Sequence, residues 1–139
     1  MLILQNWLIT INYEPAEDIM LAKLPSVEEF GANELKHALE IVSDNVLNYV
    51  VKNLILDSTN VSVEKMEDRD YRATINDFLF KLTLTRLERF ARLNSSILNL
   101  ETRAISAVNE IFQKVGSTIS FRVFADLESA VAWLKAPAQ

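Results

Sequence analysis

Four stretches of this chain space their apolar residues as one face of a helix does, and strand-like runs stand between them. This alternation, more than any single motif, limits the folds open to it. Leu35, Ala38, Leu39, Val42, Val46, Leu47 and Val50 recur at three- and four-residue intervals, which predicts a helix over 34–51. Leu54-Ile55-Leu56 follows as a short continuous apolar run, the pattern of a strand covered on both faces. A second helix is expected over 68–84, with Tyr71, Ile75, Phe78, Leu79 and Leu82 turned inward. Phe90-Ala91-Arg92-Leu93 reads as a strand. A third helix is expected over 101–115, and Gly116 suits its C-terminal stop. Residues 119–124 alternate with period two, and Asp126 is placed to cap a last helix carrying Leu127, Ala130, Val131 and Leu134. Ahead of these units, Ile9, Ile11 and Tyr13 share one face of a strand. Glu14-Pro15-Ala16-Glu17-Asp18 turns the chain, and residues 19–24 return as the second arm of a hairpin. Strands alternating with helices pair in parallel through crossover connections. The expected fold is therefore α/β: one domain over 1–139, with a mixed sheet made of an N-terminal β-hairpin followed by α-β-α-β-α-β-α.

Composition narrows the chemistry. The chain has no Cys and one His, which excludes disulfides, thiolate sites and a multi-histidine metal centre. Fourteen basic and nineteen acidic residues leave a net charge of −5, unfavourable for general nucleic-acid binding. Half of the 139 residues are hydrophobic and only five are Gly or Pro, so the chain has the makings of a core. The apolar opening lacks a basic leader and is interrupted by Gln5 and Asn6, so it reads as strand rather than signal peptide. Nothing approaches the roughly 20 apolar residues of a membrane span. A cytoplasmic location is the expectation, and no cofactor motif is present: Gly31 and Gly116 alone cannot build a phosphate loop.

The opening hairpin, the run Leu54-Ile55-Leu56-Asp57 after a long helix, and the closing stretch from Phe121 to Leu134 together resemble the STAS-like domains. These have the fold of bacterial anti-sigma-factor antagonists and their uncharacterised relatives. The resemblance implies a regulatory module without catalysis, engaging a protein partner or a small apolar or anionic ligand. Anti-sigma-factor antagonists carry a phosphorylated hydroxyl at the head of the helix after the central strand. Here that stretch is Glu64-Lys65-Met66-Glu67-Asp68, with no hydroxyl, while Ser58, Thr59 and Ser62 lie earlier. The chain therefore looks more like the uncharacterised branch, and no phosphoserine switch is expected at that position.

Two regions stand out as sites. Asp57, Ser58 and Thr59 leave one parallel strand, and Asn94, Ser95 and Ser96 leave another. Ligands of open α/β sheets bind outside the carboxyl ends of such strands. Helix N-termini there favour anions, and Arg92 could add a countercharge. The same residue types are also ordinary loop and cap formers. Phe80 and Leu84 stand one turn apart, off the apolar stripe of the second helix, and are candidates for an interface. Between residues 69 and 92, Arg69, Arg72, Lys81, Arg86, Arg89 and Arg92 form a basic cluster that reads either as a solvated face or as a dock for an acidic partner. His37 has no nucleophile at triad spacing and reads as a helix-surface residue. Asp57 as a phosphate acceptor would need an acidic pair after the first strand, and Glu17 and Asp18 sit in a turn instead. Two alternatives to a binding module remain: a small enzyme using strand-end carboxylates, and a structural homodimer subunit.

Overall fold

The computed structural model describes residues 2–5, 9–24, 32–57, 68–93, 108–110, 112–114, 116 and 118–136. Its strands are β1 (Leu2–Gln5), β2 (Thr10–Glu14), β3 (Ile19–Lys23), β4 (Asn53–Asp57), β5 (Arg89–Leu93) and β6 (Ser120–Phe124). Its helices are α1 (Ala32–Asn48), α2 (Asp68–Thr83), α3 (helical residues 108–110 and 112–114) and α4 (Leu127–Lys135). The six strands form one mixed sheet in the order β1-β2-β3-β4-β5-β6. β2 runs antiparallel to both of its neighbours, β1 and β3; β3, β4, β5 and β6 are parallel. The N-terminal hairpin is thus extended to three strands. β1 is short and its register slips between Leu2 and Leu4, so its four residues carry little period-two signal to read.

Successive parallel strands are added in one direction, and crossovers of one hand then put their helices on one face. That face holds the larger core. Ile11, Met20, Leu54 and Phe90 of the sheet pack with Leu39, Val42 and Val46 of α1, Phe78 and Leu82 of α2, and Val108 and Phe112 of α3. Phe90 anchors it, with ring centroids 6.1 Å from Phe78 and 5.3 Å from Phe121. The opposite face carries a smaller core, in which Ile19, Ile55, Ala91 and Leu93 meet Ala130 and Leu134 of α4. β4 and β5 lie between both cores, which is why their sequences are apolar without alternation.

The end of α1 departs from the expected span. The helix stops at Asn48, and Leu47 and Val50, expected inward, are exposed. Val51 N–H donates to Val46 C=O at 3.0 Å and Val50 N–H to Leu47 C=O at 3.2 Å. This is a Schellman ending, with Val50 in the left-handed region at φ 52° and the buried pair Val46 and Val51 closing it. Glycine usually marks such an end, and its absence hid this one. Asp126 caps α4 as expected: its Oδ1 accepts from Ser129 N–H at 2.7 Å. Ser26-Val27-Glu28-Glu29, whose hydroxyl-to-Glu spacing is that of a capping box, lies outside the described residues, as does the first part of the third helix.

Candidate functional site

Parallel register brings the carboxyl ends of β4 and β5 to one edge, with Asp57 opposite Leu93 and Leu56 opposite Arg92. The loops that follow them leave from that same edge. Ser58, Thr59, Asn94, Ser95 and Ser96 themselves lie outside the described residues. Alternation along the strands separates the two charged candidates. Arg92 shares the helical face with Leu56 and is buried, whereas Asp57 is half-buried on the α4 face beside Lys23 of β3. Asp57 C=O also accepts from Leu24 N–H at 2.9 Å, which ties the chain beyond β3 to this edge. Burying a guanidinium is tolerable only with partners, and Arg92 has an interaction there.

Phe80 and Leu84 are 49% and 67% exposed, although the helix carrying them buries Phe78, Leu79 and Leu82. They do not stand alone. Leu47, Tyr49 and Val50 are also exposed, at the end of α1. Because β3, β4 and β5 are parallel, α1 and α2 return in the same direction and end at the edge where β4 and β5 begin. Among the described residues seven large apolar side chains are exposed, and these five share that end, with Leu2 and Leu127 elsewhere.

The same edge contains a feature that sequence reasoning missed. Asp18, expected only as a turn residue, is a junction. Its Oδ1 accepts from the Tyr13 hydroxyl at 2.9 Å and from Lys52 N–H at 3.2 Å, and its carbonyl accepts from Asn53 Nδ2 at 3.0 Å. Burial holds the Tyr13 hydroxyl pKa above its ordinary value, and the Asp18 carboxylate adds to the shift. Lys52 C=O in turn accepts from Glu88 N–H at 2.8 Å and Arg89 N–H at 3.0 Å, and Glu88 C=O accepts from Ser120 N–H at 2.9 Å. Four connections are laced side by side: the β2–β3 turn, the α1–β4 and α2–β5 links, and the approach to β6. The left-handed φ of 53° at Asp18 fits the one clue available, since Asp tolerates that region better than most residues.

The basic cluster expected between residues 69 and 92 is dispersed. Arg92 is buried, and Arg89 donates from Nη1 to the carbonyls of Trp133 at 2.7 Å and Ala136 at 2.8 Å, closing the end of α4. Arg72 pairs with Glu110 at 3.4 Å, and Lys81 with Glu40 at 3.9 Å. Only Arg69 and Arg86 of the six are left as exposed cations without a described ion pair, so this is no continuous dock for an acidic partner. His37 lies exposed on α1. Between α1 and α2 lies a shallow dent, with Ser43, Thr74 and Phe78 at its floor and Lys36, Asp77 and Lys81 among its rim residues. Among the described residues no three His, Asp or Glu side chains are placed to hold a metal ion, and no helix is long and apolar enough to cross a membrane.

The class that fold and site define is an α/β protein with a mixed six-stranded sheet and helices on both faces. Compared with family models, curated proteins and solved structures, the chain matches none.

Proposed function

We propose that this chain is a non-catalytic STAS-like regulatory module that acts by holding a protein partner at the shared end of α1 and α2. The order of its elements supports the STAS-like reading: antiparallel strands first, then parallel β-α units. The observation that carries the docking reading is the gathering of Leu47, Val50, Phe80 and Leu84 at one end of two helices whose other faces are core. Fully burying such a side chain contributes about 1.5–3 kcal/mol, so half-exposed ones recover roughly 1 kcal/mol each. Association costs at least about 4 kcal/mol in lost freedom, so this apolar centre needs a polar rim to bind well.

The test replaces Phe80 and Leu84 together by Asp. Exposed positions shift stability by less than about 0.5 kcal/mol, so the variant should fold and melt like wild type. Immobilised wild-type chain should retain from a cell extract a protein that the variant does not. Identical retention profiles would refute the reading, and an unfolded variant would place both side chains in the core.

A second reading has one observation in its favour. The exits of β4 and β5 share an edge, as a small-anion site built on Asp57, Ser58, Thr59, Asn94, Ser95, Ser96 and the nearby Arg92 requires. Titration of inorganic phosphate should then move the backbone amide resonances of Asp57 and Leu93. Unmoved resonances at saturating phosphate would dismiss it.

A further inference from the structure

We propose that the open side of β6 takes up an extended peptide segment of a partner protein as a seventh strand, and that Arg122 selects an acidic side chain in it. This surface shares no residue with the apolar end of α1 and α2.

β6 ends the strand order, so among the described residues it has a neighbour on one side only. Ser120 N–H donates to Glu88 C=O across the β5–β6 pair at 2.9 Å. In a parallel pair every second residue turns its N–H and C=O to the neighbouring strand, and those between turn theirs away. Phe121 and Val123 therefore present their backbone groups outward, and among the described residues nothing bonds them there. A strand left open in this way is a template for another strand.

Arg122 decides which strand. It stands between Phe121 and Val123, exposed on the α4 face and level with Ala91 of β5. Its guanidinium lies 5.9 Å from the ring centroids of both Phe124 and Trp133, which are themselves 5.6 Å apart. The Arg89 guanidinium lies 5.6 Å from the same indole, so two cations gather at one ring. Among the described residues Arg122 has no ion pair: Asp126 accepts from Ser129 N–H, Glu17 pairs with Lys135, and Glu128 in the first turn of α4 makes no bond to it. Stacking holds the guanidinium in place and leaves its donors to a ligand.

The same charge argues against a second copy as the occupant. Two β6 strands paired antiparallel, Phe121 of each against Val123 of the other, would set Arg122 directly opposite Arg122, and like charges so placed repel. An acidic side chain at that place meets the guanidinium instead. On the other face of the strand Phe121 and Val123 are half-buried, with the Phe121 ring 5.3 Å from that of Phe90. The residues flanking the acidic one come to lie beside them, so a segment that alternates acidic and apolar residues suits both faces.

Amide hydrogen exchange of the full chain, titrated with two capped hexapeptides of three Glu and three Val, is the test. One peptide alternates the two residues and the other carries them in blocks. The alternating peptide should slow exchange at Phe121 and Val123, and the block peptide should not. Arg122→Glu, at an exposed position, should weaken binding by about tenfold or more and shift the preference to a peptide with Lys in place of Glu. Val123→Pro removes an outward N–H without breaking a bond to β5, so the chain should fold and binding should be lost. If that variant unfolds, the Arg122→Glu comparison decides alone. Unchanged exchange at Phe121 and Val123 with millimolar peptide overturns the proposal. Equal binding of both peptides, or an Arg122→Glu chain that keeps its preference for Glu, overturns it as well. So does protection of these amides on concentrating the chain alone, because the occupant is then a second copy.

Discussion

Val50 carries a local backbone cost in this fold. For an L-residue the left-handed region costs roughly 1–2 kcal/mol, and branching at Cβ makes it worse. Glycine escapes that cost but loses more freedom on folding. Val50→Gly is therefore expected to raise stability by about 0.5–1 kcal/mol in urea denaturation. A destabilised variant would mean that the exposed side chain makes contacts the structure does not show. This position also marks where reading the chain alone failed. Helical spacing carries on through Leu47 and Val50, and nothing in the residue types announces a Schellman turn without glycine. Asp18 escaped for a related reason. Its partners Lys52 and Asn53 are 34 and 35 residues away, and no local pattern encodes them. The split of Asp57 and Arg92 between faces, by contrast, follows from period two once the parallel register is known.

Among the elements, α4 depends most on few contacts. It spans nine residues, too short to persist without tertiary support, and it is the helix that packs on the second face among the described residues. Arg89 holds its end: the guanidinium bonds three carbonyls, the third being Leu134 at 3.4 Å, and lies 5.6 Å from the Trp133 ring centroid. Arg89→Ala should cost about 2–3 kcal/mol, the range for hydrogen bonds made by a charged group. Arg89→Lys should recover only part of this, since an ammonium cannot both fork and stack. Hydrogen exchange of the α4 amides, alongside global unfolding, measures both; a change under about 0.5 kcal/mol for Arg89→Ala would contradict the assignment. The start of α4 is pH-sensitive. The backbone hydrogen bond from Ser129 holds the Asp126 pKa below its ordinary 3.8. Its stabilisation is therefore present above that value and lost as pH falls through the lower folded one. Amide exchange in α4 should accelerate there, and Asp126→Asn should remove the step. The buried strands and the apolar stripes of α1 and α2 were legible because each packs one regular period against a core. β1 was not, being four residues long with an irregular register.

At the scale of the molecule, the laced edge ties β2–β3, α1–β4, α2–β5 and the approach to β6 into one unit. Asp18→Ala removes two acceptor contacts and puts a Cβ residue less suited to φ 53° in the turn, so it should destabilise by about 1–3 kcal/mol. Asp18→Asn, whose side-chain oxygen still accepts, should cost less; equal losses would show that charge rather than bonding matters. The sheet itself is ordered as the chain is, with each strand beside its predecessor. No strand has to be threaded between two that are already paired. During synthesis, when the N-terminal part emerges first, each new β-α unit can therefore add to a growing border as it leaves the ribosome. β6 and α4 follow β5 in the chain and add the next strand and the cover of the second face together. A nascent chain halted before them would keep every earlier strand pair but bare Ile55, Ala91 and Leu93 to solvent. Such a half-built sheet, apolar on one side and open along β5, is the form in which this chain is most exposed to aggregation, and β6 and α4 end that exposure.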